Sequence, residues 1–208
     1  KLDLTQFTQI CIFATSYVIF QSFITETDFK IEDINVMMGH SLGEYTALAC
    51  SEKINLKKCC LILKKRGELM NNAESPNETG MAALIGKDAM FINNIIKNNK
   101  LDLEIANDNS PVQIVISGKK KDIINSKEIF LNNNVKRFVE LNVSAAFHSK
   151  FMLKAQDELS EEIKELDFIE NKIKIISNYN ANIYNDTVSI KNNLQNQMAN
   201  QVKWTQSI

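Results

Sequence analysis

The sequence predicts an α/β protein in which a parallel sheet with flanking helices carries a smaller inserted subdomain. The first observation is a short apolar segment, 34–38, that runs into Gly39-His-Ser-Leu-Gly43 and then into a helix-forming stretch. The second is the series of strand-like and helix-like segments between 80 and 141, in the order βαββαβ. Buried parallel strands are short apolar runs, and strand–turn–helix units are typical of such sheets. We therefore expect a discontinuous large subdomain (1–79 and 142–208) and a small one (80–141).

The composition excludes several classes of function. The chain has 208 residues, of which 44% are hydrophobic and 24% charged, as in ordinary globular domains. A net charge of −1 offers no basic excess for nucleic acid. The four cysteines form no C-x-x-C pair, which favours free thiols in a reducing, cytoplasmic compartment. With two histidines, a structural zinc site is not expected.

The first element, Leu4–Ile24, is the most apolar part of the chain. Polar residues interrupt it at Gln6, Gln9, Ser16 and Gln21, and no charged flank precedes an uninterrupted apolar run. We therefore predict a buried core helix rather than a membrane span.

The next element, Gly39–Gly43, has the G-x-S-x-G form of a nucleophile elbow, which is typical of an α/β-hydrolase-like core. In an elbow the serine occupies a strained turn, and we expect both flanking glycines to be required because a Cβ would not fit. A helix from Leu42 onward would place Ser41 at a positive helix N-terminus, which favours a developing oxyanion. The alternative is an ordinary glycine turn with a surface serine.

A second helix is predicted from a cap at Asn55 to about Asn71. Arg66 lies on its apolar face, and the only other arginine among 24 basic residues is Arg137. A buried guanidinium needs an anionic partner. Arg66 either pairs with a protein carboxylate or helix carbonyls, or it binds a substrate carboxylate with the planar geometry that suits arginine.

The segment from 80 to 141 is predicted to form a ferredoxin-like subdomain. Its predicted elements are the strands Gly80–Ile85, Leu103–Asn107, Gln113–Ser117 and Val135–Leu141, and the helices Asp88–Asn98 and Asp122–Leu131. The run Lys119–Lys121 is interpreted as a solvated loop, with a contact to a partner protein as the alternative.

His148 follows this subdomain, at the start of a predicted helix that Ser149 could cap. A serine nucleophile needs an imidazole within hydrogen-bond reach. His40 is the neighbour of Ser41 on the elbow, so its side chain should point elsewhere, and His148 remains as the base. Beyond it we predict a strand at Ile173–Ser177, a polar helix near 190–200 and a loop around Trp204.

Four segments together resemble malonyl-CoA:acyl carrier protein transacylase and the acyltransferase domains of fatty acid and polyketide synthases. They are Gly39-His-Ser-Leu-Gly-Glu-Tyr-Thr-Ala47, Lys65-Arg-Gly-Glu-Leu-Met70, Asn107-Asp-Asn-Ser-Pro-Val-Gln-Ile-Val-Ile-Ser-Gly118 and Ala146-Phe-His-Ser149. The resemblance implies transfer of a malonyl group from malonyl-CoA to the phosphopantetheine thiol of acyl carrier protein, through a malonyl-serine and without a cofactor or metal. It implies a cytoplasmic monomer that contacts neither nucleic acid nor membrane.

The resemblance also assigns roles to individual residues. Ser41 is implied to be the acylated nucleophile, His148 its base and Arg66 the clamp on the malonyl carboxylate. The Leu42 N–H is implied to donate to the oxyanion. By similarity at the C-terminal end, Gln197 is implied to orient the histidine through its main-chain carbonyl, and Phe147 resembles the malonyl-preferring form.

The sequence departs from the family pattern in two places, and two alternative functions remain open. The family's opening strand and its G-Q-G-S-Q loop have no counterpart here, and family members continue beyond the position of Trp204–Ile208. We therefore expect an internal part of a longer transacylase that lacks both ends. The parent could be a stand-alone enzyme or a polyketide synthase domain. One rival is a serine hydrolase, with Asp108 or Asp122 as the acid of a triad. The other is a non-enzymatic module that binds carrier protein.

Overall fold

The computed structural model describes residues 4–75 and 78–208. Its helices are α1 (Thr5–Glu26), α2 (Leu42–Cys50), α3 (Leu56–Asn71), α4 (Ala89–Asn98), α5 (Lys120–Asn132), α6 (Leu153–Lys164), α7 (Thr187–Gln195) and α8 (Trp204–Ser207). Its strands are β1 (Val36–Met37), β2 (Thr79–Ile85), β3 (Leu103–Ser110), β4 (Gln113–Lys119), β5 (Arg137–Glu140), β6 (Lys174–Ile176) and β7 (Ile183–Tyr184).

The strands form two sheets. In the first, β1 pairs in parallel with β6, and β6 pairs antiparallel with β7, a strand that the sequence did not indicate. In the second, the order is β3-β4-β2-β5, all antiparallel. All six elements predicted between 80 and 141 are present in the predicted order. The division into two subdomains stays a prediction, since Asn107 of β3 forms a parallel bridge with Val202 outside that segment.

Helix α3 begins as predicted. The Asn55 side chain accepts hydrogen bonds from the N–H groups of Lys57 at 3.0 Å and Lys58 at 3.3 Å, so two of the donors at the helix N-terminus are satisfied. Gly67 of α3 faces α1, where an added Cβ would lie 2.9 Å from the Cα of Gln6. This glycine therefore lets the two helices approach closely.

The prediction that the first helix is a buried core helix is wrong for the described residues. Within α1, Gln9 and Phe13 are buried, whereas Val18 is 60% and Ile19 is 64% exposed. The helix contacts α2 and α3, so only the stripe that faces them is covered. By length and composition alone, α1 also meets the criterion for a membrane span.

The C-terminal part departs from prediction in three places. Ser149 does not cap a helix: its hydroxyl donates to the carbonyl of Ala146 at 2.6 Å, and a 3₁₀ turn precedes α6. Helix α7 begins earlier than predicted because the Asp186 side chain accepts from the N–H of Ser189 at 2.9 Å and so caps it. A short helix, α8, stands where we predicted a loop around Trp204.

Candidate active site

The turn between β1 and α2 has the strained geometry of an elbow. Ser41 has φ 51° and ψ −101°, a conformation that is costly for a residue with a side chain. A Cβ on Gly39 would lie 2.1 Å from the carbonyl carbon of Gly43, so Gly39 is required as predicted. Gly43 is not required in this way. It borders a cavity of about 640 Å³, and among the described residues no atom beyond its chain neighbours and the backbone of its own helix lies within 4 Å of its Cβ position.

Ser41 and His148 lie within hydrogen-bond distance, with 2.8 Å between Oγ and Nε2. The other ring nitrogen, Nδ1, is 3.1 Å from the carbonyl oxygen of Gln197 and 3.2 Å from that of Asn200. Both carbonyls can only accept, so the proton belongs on Nδ1, and Nε2 is free to accept from Ser41. This is the tautomer that a general base needs.

The pKa of His148 is lowered to about 3, first by burial and then by the positive charge of Arg66. Hydrogen bonds to the carbonyls of Gln197 and Asn200 oppose this shift only in part. The imidazole is therefore neutral across the physiological pH range.

Arg66 reaches Ser41 from the buried face of α3, with 1% of its surface exposed. Its Nη2 donates to Ser41 Oγ at 2.9 Å and to Gln197 Oε1 at 3.0 Å, and its Nη1 donates to Gln9 Oε1 at 2.6 Å. None of the ion pairs within residues 4–75 and 78–208 includes Arg66. Its hydrogen-bond partners are neutral, and the Glu44 carboxyl interacts with its charge without a direct hydrogen bond, so the guanidinium beside Ser41 retains the capacity to bind an anion.

Leu42 supplies the first N–H of α2, next to Ser41. Among the described residues this N–H donates to no acceptor within the protein. Free N–H groups at a helix N-terminus carry partial positive charge, so negative charge that develops next to Ser41 would be stabilised there.

The remaining predicted residues lie as follows. Phe147 is half-buried and packs against two apolar clusters, and its carbonyl accepts from Ser117 Oγ at 2.7 Å. His40 turns away from the nucleophile as expected, with Nε2 2.8 Å from Asn109 Oδ1. Asp108 accepts from Thr205 and Gln206 rather than from His148, whose Nδ1 faces carbonyls, so no Ser-His-Asp triad forms among residues 4–75 and 78–208.

Sequence reasoning missed two polar residues that hold the elbow. Asn178 Oδ1 accepts from the N–H of Ser41 at 2.5 Å, and its Nδ2 donates to the carbonyl of Gly39 at 2.8 Å. Glu44 has 0% of its surface exposed and lies behind the elbow on α2. A carboxylate in an otherwise small and apolar helical stretch was the signal that could have drawn attention to Glu44. No group of three or more potential metal ligands occurs in 4–75 or 78–208.

Comparisons with known proteins agree with this geometry. A family model described as acyl transferase domain matches residues 1–208. Polyketide biosynthesis protein PksE of Bacillus subtilis is 37% identical over 206 residues, which cover 98% of this chain and 26% of that protein. Polyketide biosynthesis malonyl CoA-acyl carrier protein transacylase PksC of Bacillus subtilis is 37% identical over 210 residues, 100% of this chain and 70% of that protein. The solved malonyl CoA-acyl carrier protein transacylase of Coxiella burnetii has a TM-score of 0.93 at 30% identity, covering 99% of this chain and 65% of that one. The structural likeness confirms the predicted α/β fold class. The chain spans about two thirds of the length of both transacylases and about a quarter of the length of PksE.

Proposed function

The chain belongs to the acyl transferase domain family, and from that premise we propose that it transfers a malonyl group from malonyl-CoA to the phosphopantetheine thiol of acyl carrier protein. The intermediate is a malonyl ester on Ser41. The same reaction serves fatty acid synthesis and polyketide synthesis.

The observation that carries this proposal is the position of Arg66, whose Nη2 is 2.9 Å from Ser41 Oγ. A cation buried beside a nucleophile favours an acyl group that brings its own negative charge. A malonyl group has a carboxylate at its far end, whereas an acetyl group would leave the guanidinium with neutral partners only. Selectivity then comes from the cost of a buried guanidinium that has no hydrogen-bonded counter-ion.

The first half-reaction is acylation. Ser41 Oγ attacks the thioester carbonyl while its proton passes to Nε2 of His148, 2.8 Å away. The carbonyl oxygen becomes an oxyanion that the Leu42 N–H and the N-terminus of α2 stabilise. When the tetrahedral intermediate collapses, the C–S bond breaks and coenzyme A leaves with the proton from Nε2.

The second half-reaction repeats these steps with the carrier thiol as nucleophile. His148 takes the thiol proton, the sulfur attacks the malonyl ester, and Ser41 leaves with the proton restored to Oγ. The binding of the malonyl carboxylate also helps the base. It neutralises Arg66, whose charge lowers the pKa of His148, so the imidazole becomes a stronger base once substrate is bound.

The other predicted residues take supporting roles in this proposal. Gln197 holds the His148 ring through its main-chain carbonyl, with 3.1 Å between that oxygen and Nδ1. Phe147, which precedes the base, favours malonyl over methylmalonyl groups. No metal or redox cofactor takes part in these steps. We place the protein in the cytoplasm, in keeping with the free thiols of its four cysteines, and we expect a monomer.

Mass spectrometry of the intact protein after incubation with malonyl-CoA tests the proposal. We expect one malonyl adduct on Ser41, its loss on addition of holo-acyl carrier protein, and no adduct in Ser41→Ala. Rapid release of free malonate without carrier protein would favour the serine hydrolase instead. Binding of carrier protein without any adduct would favour the non-enzymatic module.

A further inference from the structure

A buried carboxylate behind the elbow joins the parts of the site that come from different regions of the chain. Glu44 has 0% of its surface exposed. Its Oε1 accepts from the Tyr184 hydroxyl at 2.7 Å, and its Oε2 accepts from Gln197 Nε2 at 2.8 Å and from the Asn178 N–H at 3.1 Å. A buried carboxyl group with this many donors is a fixed acceptor, not a solvated charge.

The first consequence concerns the nucleophile. Asn178, whose N–H is held by Glu44, uses its side chain to bridge the Ser41 N–H and the Gly39 carbonyl. These two bonds span the turn in which Ser41 has its strained φ of 51°. A strained residue keeps its conformation only where surrounding contacts enforce it.

The second consequence concerns the clamp. An amide side chain can be flipped by 180°, and its neighbours decide which end is oxygen. Gln197 directs Nε2 at Glu44 Oε2 and at the Ser41 carbonyl, so Oε1 faces Arg66 Nη2. The flipped amide would set oxygen against the Glu44 carboxyl and N–H against the guanidinium, which is unfavourable at both ends.

We propose that Glu44 is a positioning residue that sets the orientation of Asn178 and Gln197, and thereby fixes the Ser41 elbow and the Arg66 clamp together. It touches no substrate, and its effect on malonyl selectivity rests on the proposed function. The hydrogen bonds require an acceptor at the Oε2 position and do not require a charge. If Glu44 is protonated, its proton lies on Oε1 and the Tyr184 hydroxyl turns to accept it.

Two conservative variants separate the effect of the length of the Glu44 side chain from the effect of its charge. Glu44→Gln keeps the length of the side chain. Its amide oxygen can take the Oε2 position, and its NH₂ group can donate to the Tyr184 hydroxyl. Glu44→Asp keeps the charge but is one methylene too short to hold Asn178 and Gln197. Tyr184→Phe is the matched control, because it removes a donor to Glu44 and leaves Oε2 in place.

The rate at which a fluorophosphonate labels Ser41 measures whether the elbow keeps its reactive conformation. The ratio of malonyl to acetyl transfer onto Ser41 measures whether Arg66 is correctly positioned. We expect Glu44→Asp to lower both about tenfold or more, the effect of leaving buried donors without an acceptor. Glu44→Gln and Tyr184→Phe should stay within about threefold of wild type in both. Thermal unfolding of each variant shows that it is folded.

The outcomes separate this inference from the proposed function. Wild-type protein that reacts with the fluorophosphonate but takes no malonyl group would refute the proposed function, and the labelling rates would still decide the role of Glu44. If Glu44→Asp is folded and matches wild type in labelling, Glu44 is not a positioning residue. A Glu44→Gln variant as slow as Glu44→Asp would also overturn the inference, because charge would then be what matters. Absence of labelling in wild type would overturn both.

Discussion

Under the proposed function, replacement of Arg66 by alanine should make the site accept acetyl groups in place of a preference for malonyl groups. The guanidinium is 1% exposed and lies 2.9 Å from Ser41 Oγ, and its partners are the neutral side chains of Gln9, Ser41 and Gln197. In Arg66→Ala the malonyl carboxylate would enter a buried site without a cation. An acetyl group would no longer leave a buried charge unpaired.

The magnitude follows from the contact that is lost. A hydrogen bond to a charged group contributes about 1.5–3 kcal/mol, so a two-bond contact between guanidinium and carboxylate contributes about 3–6 kcal/mol. At ~1.36 kcal/mol per tenfold change in rate, malonyl transfer should fall by about 10²–10⁴. The rate of acetyl transfer should stay the same or rise, so the selectivity ratio should fall by at least about a hundredfold.

The assay is a competition between equal concentrations of malonyl-CoA and acetyl-CoA, quenched within one turnover, with the two Ser41 adducts counted by intact mass. Arg137→Ala, which removes the only other arginine, an exposed residue of β5, is the matched control and should keep the wild-type ratio. Arg66→Lys should recover part of the selectivity, because an ammonium group supplies charge without the planar pair of donors. A malonyl-to-acetyl ratio in Arg66→Ala within about threefold of wild type would show that the arginine is structural.

Three further predictions concern the same site. His148→Ala should slow acylation of Ser41 by about 10³ or more, since nucleophile and base act as a unit; rapid-quench kinetics measures this, and a loss below tenfold would assign the base elsewhere. Because the pKa of His148 is about 3 in the free protein, kcat/KM should show no acid limb from this group between about pH 5 and pH 7. The charge of Arg66 lowers that pKa, so in Arg66→Ala the pKa should rise and an acid limb should appear at higher pH with acetyl-CoA; an unchanged pH profile would contradict the electrostatic coupling. Gly39→Ala should abolish acylation and lower the unfolding temperature, because its Cβ would lie 2.1 Å from a backbone carbon, whereas Gly43→Ala should remain folded; equal melting temperatures would contradict this reading of the turn.

Elements whose formation depends on neighbouring residues could be predicted without the structure. The cap at Asn55, the helix that follows it and the strained turn at Ser41 are all specified within a few positions of the chain. The side of α3 that carries Arg66 follows from the 3.6-residue period of its apolar positions. Where local signals were weak or overlooked, prediction failed, as for the cap at Asp186 and the two-residue strand β7.

The contacts that hold the site together join distant parts of the chain and became visible only in the folded protein. Ser41 Oγ is hydrogen-bonded to His148, which is 107 residues away in sequence. The Ser41 N–H is hydrogen-bonded to Asn178, which is 137 residues away. The burial of Glu44 and its contact with Gln197, 153 residues away, have no local signature beyond an acidic residue in an apolar helix. The same holds for α1, whose apolar composition predicted burial although α2 and α3 cover only one side of it. Hydrogen-bond partners and coverage are properties of surfaces that folding brings together, so local periodicity cannot specify them.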